Sequence, residues 1–295
     1  KKLSINGYFV RIKMDKETNM LQKRLRFALF GNEFHSDKSF AVQRVLNFLK
    51  THDAEVYIDR PYYDFLSKVL QLDTWCSGVF DNDYFDADFV ISLGGDGTML
   101  RAANRVGAKE IPVLGINMGR LGFLADVLPD EIDTALQEIY TGQYKIEEHS
   151  VIMIETDGEF LEGSPYALND IALLKRDNAS MITIRCCVDG DYLVTYQADG
   201  LVSTATGSTA YSLSNGGPII VPSANNLCIT PVAPHSLNMR PVVVTDNVVI
   251  ELEVESRNHN YLVAVDGRSE RMQEGTKIIV RKAPHKVKIV KQRTT

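Results

Sequence analysis

The sequence predicts a two-part chain: an α/β domain built on a parallel sheet, followed by a largely antiparallel β domain. Three observations carry this. From about Leu25 to Asp126, apolar runs of strand length alternate with segments of helical periodicity, the pattern of a parallel sheet covered by helices. From about Val151 onward the texture changes to β-rich runs separated by Asp-Gly pairs, which favour tight hairpins. And 295 residues, 44% of them hydrophobic, suffice for two cores.

The elements follow in order. Phe27-Ala28-Leu29-Phe30, ended by Gly31, reads as a buried strand. Between Ser39 and Thr51, apolar residues including Val42, Val45, Leu46 and Leu49 recur at helical spacing. Glu55–Ile58 is a second strand, and Phe89–Leu93 a third that runs straight into glycines. Thr98–Val106 presents a helical apolar face, Ile111–Ile116 is a fourth strand, and residues 130–140 form one more amphipathic helix. Beyond it, Val151–Ile154, Met181–Val188, Tyr192–Gln197, Val242–Val254 and Tyr261–Val265 are β-rich, with turn signals at Asp157-Gly158, Asp189-Gly190 and Asp266-Gly267. We set the α/β domain at 25–128 and the β-rich domain at 129–285. Residues 1–24 fit poorly with the pattern that follows; they are read as an extension or expression remnant and set aside. Residues 286–295 form a tail, with a return to the N-terminal domain left open.

Composition narrows the function classes. The net charge of −6 advertises no polyanion-binding surface, so phosphate binding must come from local geometry. The basic tail (Lys286, Lys288, Lys291, Arg293) reads as a solvated strand face. Neither a nucleic-acid nor a membrane partner is expected, and no apolar run approaches the ~18 residues of a spanning helix. Four cysteines without C-x-x-C spacing argue for reduced thiols, a cytoplasmic location and no zinc site.

Two segments carry the chemistry. Gly94-Gly95-Asp96-Gly97-Thr98 follows a strand and opens a helix. Glycines there let the backbone approach a ligand, and the free amides and dipole of the helix start favour a phosphate. An isolated Asp-Gly is most often a mere turn, but the flanking strand, the extra glycines and the helix argue otherwise. Asp96 would be repelled by phosphates unless it holds Mg²⁺ or accepts a proton from an attacking hydroxyl. The segment is neither a Walker loop nor the dinucleotide fingerprint. The second segment runs from Asp199 to Ser212, with seven hydroxyls between Ser203 and Ser212. Hydroxyls donate to phosphate and ribose oxygens without adding charge, and Tyr211 can stack on a ring. A Ser/Thr-rich surface loop is the plain alternative, although such loops usually carry more charge.

Other features are less specific. Asn169-Asp170 lies inside an apolar stretch; ribose hydroxyls or an adenine edge would satisfy it, and a polar pair at a strand end fits equally well. Asp266-Gly267-Arg268 alone reads as a hairpin turn, and His235 reads as structural. No His or Cys cluster has metal-ligand spacing, so any metal is Mg²⁺ brought with a nucleotide.

Taken together these residues resemble the NAD kinase family. The matching segments are Gly94–Thr98, Leu114–Asn117 with Gly119–Leu124, Asn169-Asp170, Gly207–Ser214 and Thr230–Leu237, in the family's order, over about residues 25–285. The glycine-acid motif is shared with diacylglycerol and sphingosine kinases and, in related form, with phosphofructokinases. The hydroxyl-rich loop and Pro-His-Ser-Leu single out NAD kinases. The resemblance implies a Rossmann-like N-terminal domain and a β-sandwich-like C-terminal domain with the site between them. It implies phosphoryl transfer from ATP, or polyphosphate, to the adenosine-ribose 2′-hydroxyl of NAD, with Mg²⁺. It makes Asp96 the general base, with Gly97 touching substrate and Arg101 near the phosphates. Asn169 and Asp170 would hold the adenosine portion, and Asp199 would reach a neighbouring subunit's ligand. Thr206, Thr209, Ala210, Tyr211, Ser212 and Ser214 would line the dinucleotide, and Ser180, Gln197, Asp266 and Arg268 complete the set. Such enzymes assemble as homodimers or homotetramers. Three departures stand out: the family usually has Asn-Glu where this chain has Asn169-Asp170, one more residue between Gly200 and Thr206, and Pro where Ala205 stands. A lipid kinase and a non-catalytic NAD(P)-sensing module are the alternatives.

Overall fold

The computed structural model describes residues 24–33, 39–119, 122–158, 161–176, 181–236 and 238–293. Its first part comprises β1 (Arg26–Gly31), α1 (Ser39–Thr51), β2 (Glu55–Asp59), α2 (Arg60–Asp64), β3 (Gly78–Phe80), β4 (Phe89–Gly94), α3 (Asp96–Val106), β5 (Val113–Asn117) and α4 (Ile132–Thr141). The strands pair in parallel in the order β3-β2-β1-β4-β5. Alternation along β1 shows why both faces are covered. Phe27 and Leu29 pack into one core with Val45 and Leu46 of α1 and Leu136 of α4. Ala28 and Phe30 pack into another with Met99, Ala102 and Val106 of α3. The helix beyond the expected 128/129 boundary, α4, therefore lies on the first core.

The second part comprises β6 (Tyr144–Thr156), β7 (Tyr166–Ala167), β8 (Asp170–Leu174), β9 (Ile182–Val188), β10 (Asp191–Gln197), β11 (Asp199–Thr204), a 3-10 turn (Thr206–Thr209) and α5 (Tyr211–Ser214). It continues with β12 (Asn226–Val232), β13 (Val242–Thr245), β14 (Ile250–Ser256), β15 (Asn260–Val265), β16 (Arg268–Gln273) and β17 (Ile278–Gln292). One antiparallel sheet has the order β13-β12-β11-β8-β15-β16. Its inner face (Ile171, Leu173, Val202, Ile229, Val263) meets Ile154, Ile184, Leu252 and Val280 of β6, β9, β14 and β17 in a sandwich core. The Asp-Gly pairs act as expected at two hairpins: Asp189-Gly190 and Asp266-Gly267 all have positive φ, the requirement of a type I′ turn.

The two parts share a sheet. β17 pairs antiparallel with β6 along most of its length, with β14 at its start, and in parallel with β5 at Ile289↔Val113. A bulge at Ala283-Pro284-His285, where the register shifts between Lys282↔Ile152 and Lys286↔Ser150, bends this ribbon where it passes from one core to the other. Three of the tail's four basic residues are in ion pairs: Lys286 with Glu148, Lys288 with Glu110, Lys291 with Asp126. Helix α3 is clamped between the parts, since its core also takes in Val151, Leu168, Val287 and Ile289.

Candidate active site

The glycine-acid turn sits at the carboxyl end of β4, where open α/β sheets place ligands. Its glycines are there for different reasons. A Cβ on Gly94 would lie 2.6 Å from the Thr98 Cβ, so packing forbids it. At Gly95 and Gly97 a Cβ would meet nothing within 4 Å, and Gly95 has φ −101°, so nothing in the folded chain demands glycine at either position. What they preserve is open space in front of the α3 N-terminus, whose first amides lack intrahelical partners.

Asp96 begins α3, and its carboxylate is held by the segment that follows β5. Oδ2 accepts from Phe123 N at 2.9 Å; Oδ1 accepts from Leu124 N and Ala125 N, both at 3.1 Å. Gly122 makes this possible, because a Cβ there would lie 2.5 Å from the Asp96 Cγ. A carboxylate has about four acceptor positions; three are taken, so the group is fixed in orientation with room for one further donor. Arg101, on the exposed side of α3, donates from Nη2 to Gly31 O at 2.5 Å, which places it at the carboxyl end of β1.

A second acid cradle lies in the β-rich part. Asp266, at the β15–β16 turn, accepts from Leu168 N (2.8 Å), Asn169 N (2.8 Å) and Asp170 N (3.1 Å). This fixes Asn169 between β7 and β8. The hydroxyl-rich loop closes on the same residue: Asn169 O accepts from Thr204 N at 2.9 Å, and Thr204 Oγ1 donates to Leu168 O at 2.6 Å. Gly207 lies so close that a Cβ would be 2.5 Å from the carbonyl carbon of Asn169 and 2.8 Å from its Cα. Here glycine is required by packing. Burial, reinforced by the negative charge of Asp266, pushes the Asp170 carboxyl up to about 7. Burial also raises Asp266, against the pull of its three amide donors and Arg268.

The remaining predicted residues divide. Tyr211 and Ser214 on α5 are exposed, and Thr209 and Ala210 half-buried. Thr209 Oγ1 donates to Thr206 O at 3.2 Å, and Thr206 itself turns inward to His149, 2.7 Å away. Ser212 is fully buried and shares a hydrogen bond with Thr230, so its hydroxyl faces the core of this chain. Asp199 accepts from Lys175 N at 2.7 Å. Gln197 is exposed on β10 and takes His235 N on its carbonyl. Arg268 donates to Ser164 O at 2.8 Å. Ser180 lies outside the described residues, as do Arg120, Leu121 and Leu237 of the family-like segments. The structure thus gathers Asn169, Asp170, Asp266, Thr206 and Gly207 closely. Asn104 of α3 joins this group to the first part by donating to Ser164 Oγ and Tyr166 O. A cavity of about 10 Å³ between α3 and Asp266, with His285 on its wall, marks the same seam.

A far larger cavity, about 670 Å³, lies among Arg24, Phe89, Tyr140 and Tyr144, at the opposite ends of the parallel strands. Its size does not make it the active centre, because it holds neither the glycine turn nor the acid cradles. Sequence reasoning missed the role of the amides at 123–125, which no side-chain pattern encodes, and missed His149, a lone histidine among polar residues.

Comparison with known proteins gives the family. A family model described as the ATP-NAD kinase N-terminal domain matches residues 16–144, and one described as the ATP-NAD kinase C-terminal domain matches residues 168–292. An NAD kinase of Bacteroides fragilis is 53% identical over 269 residues, 91% of this chain and 93% of that protein. One of Porphyromonas gingivalis is 43% identical, again over 91% and 93%. Among solved structures, an Archaeoglobus fulgidus NAD kinase in complex with ATP superposes with TM-score 0.72 at 25% identity, covering 92% of this chain and 95% of that one. Yeast NADH kinase complexed with NADH, at TM-score 0.81 and 23% identity over 91% and 84%, shares the fold. With both halves matched in order and relatives this similar over nearly their whole length, the chain belongs to the ATP-NAD kinase family.

Proposed function

We propose that this chain transfers the terminal phosphoryl group of ATP to the 2′-hydroxyl of the adenosine ribose of NAD, giving NADP. The observation that carries the mechanism is Asp96: a carboxylate fixed by three backbone amides, with one acceptor position left, beside two glycines that no packing requires. A ribose hydroxyl donating to that position is oriented for attack; its proton passes to Asp96 as the new O–P bond forms and the bond from the γ-phosphorus to the bridging oxygen breaks, releasing ADP. Phosphoryl transfer has a loose transition state, so orientation matters more than base strength. The space at Gly95 and Gly97 lets phosphoryl oxygens reach the first-turn amides of α3, which stabilise the charge spread over them. Asn169, held by Asp266, and the loop at 206–214 grip the adenosine side of NAD.

Among the described residues no three metal-ligating side chains converge. A divalent cation, Mg²⁺ by its chemistry, would arrive with the nucleotide and would neutralise phosphate charge. Assembly as a homodimer or homotetramer, with Asp199 at the start of β11 meeting a neighbour's ligand, belongs to the same proposal. Four free thiols suit the cytoplasm. The lipid-kinase and sensor alternatives draw no support from the comparisons. The test is NADP formation from NAD by the purified chain with Mg²⁺ and either ATP or polyphosphate. ATP-dependent product is expected; NAD binding without product from either donor would return the sensor reading.

A further inference from the structure

His149 has no part in the chemistry above, yet it is one of the most buried polar side chains in the chain, at 2% exposure. It lies on β6, opposite Val287 of β17, in the stretch of ribbon that pairs onward to β5 of the first sheet. Its Nδ1 is 2.7 Å from Thr206 Oγ1, and Thr206 opens the turn whose carbonyl receives Thr209 Oγ1. Its Nε2 is buried without a hydrogen bond, with Glu147 Oε2 3.5 Å away. A proton on Nε2 is favoured by that carboxylate, which makes Nδ1 the acceptor and Thr206 the donor. A buried polar pair of this kind costs free energy when either partner is removed alone, because the other is left unsatisfied.

We infer that His149 is a positioning residue for NAD: by holding Thr206, it ties the hydroxyl-rich loop to the ribbon shared with the β4–β5 end of the first sheet. The hydrogen bond is a direct side-chain link between that loop and β6. Through β17 and β5, it sets the loop in register with the turn that carries Asp96. Thr206 donates its hydroxyl hydrogen inward to His149 and so fixes where Thr209, Ala210 and Tyr211 stand. This inference rests on the reading of residues 206–214 as an NAD-binding loop.

The test is a double-mutant cycle with steady-state kinetics. His149→Leu and Thr206→Val, each of similar size but without the polar group, are expected to raise KM for NAD about fivefold to tenfold, the scale of one buried hydrogen bond. KM for ATP should stay put, and the double variant should be no worse than the worse single one. His149→Asn, which keeps a polar atom at the reach of Nδ1, and Thr206→Ser should recover most of the lost affinity. That rescue separates positioning from mere bulk, and the Thr206→Ser and Thr206→Val pair carries the test if His149→Leu fails to fold. Multiplicative effects in the double variant, or an unchanged KM for NAD in folded His149→Leu, would overturn the inference. Tyr211→Ala serves as the control. If it raises KM for NAD while His149→Leu does not, only the role of His149 fails; if neither changes KM, the loop reading fails as well.

Discussion

Gly97→Ala pulls stability and activity in opposite directions. Gly97 is the second residue of α3 and exposed, and an added methyl meets nothing within 4 Å. Alanine removes backbone freedom from the unfolded chain and suits a helix, so folding should gain about 0.5–1 kcal/mol. For a chain of this size that is a rise in Tm of roughly 1–3 °C. The same methyl stands in the space in front of the α3 amides, where the proposed mechanism brings a phosphoryl group to hydrogen-bond distance. Displacing a reacting group by about 1 Å costs on the order of 100-fold in rate, so kcat/KM for NADP formation should fall by about that factor. Calorimetry and a coupled NADP assay on the same preparations read both effects. Retained activity would show that no ligand uses this space. Lost activity with a lowered Tm would show that Gly97 serves packing, and the reading of the turn as a phosphate cradle would be refuted.

Gly207→Ala makes the contrasting case. Its methyl would overlap the Asn169 backbone, so the two backbone segments must part by roughly 1 Å, at a cost of about 1–3 kcal/mol; a urea midpoint equal to wild type would contradict this close approach. Asp266→Ala strands three backbone amides at 168–170 and should cost about 3 kcal/mol or more, with KM for NAD rising as Asn169 loosens; urea unfolding and kinetics read the two parts separately. Asp170 gives a pH signature. Its folded pKa, about 7, lies above the unfolded value of about 3.9, so the folded state holds the extra proton between them. The resulting penalty is absent below about pH 4, grows as pH rises and is complete above about pH 7. Asp170→Asn should therefore stabilise the protein at pH 8, by on the order of a few kcal/mol, and have little effect near pH 4; equal effects at both pH values would remove the assigned cause.

The first sheet was legible because parallel strands buried on both faces are written as nearly continuous apolar runs, as in Phe27–Phe30 and, with Ser92 alone interrupting, Phe89–Leu93. The glycine-acid turn was legible because a strand, glycines and a helix meet in eight residues. The ribbon was not. Residues 144–150 and 286–292 are mostly polar or basic, and they become strands only by pairing with each other across the length of the chain. Val151–Ile154 therefore read as a short strand, although β6 begins at Tyr144. Asp266 read as a turn, which it is; its hold on Asn169 depends on a contact 97 residues away that no local pattern carries. Ser212 read as one hydroxyl among seven, and only the fold shows that it is buried against Thr230, with Ser203, Thr204, Thr206 and Ser208 also buried, while Thr209 is half-buried and Tyr211 exposed.

The role proposed for Asp96 is to take the proton of the ribose hydroxyl. Asp96→Asn keeps the size of the side chain and one of its acceptor oxygens, so NAD should bind almost as in the wild type. The direct measurement is NAD affinity by calorimetry together with NADP formation from NAD and ATP, on wild type and variant side by side. Near-normal binding with at least ~100-fold lower turnover, the usual scale for loss of a general base, is the predicted result; near-normal turnover would contradict the account and leave Asp96 a structural anchor for residues 123–125.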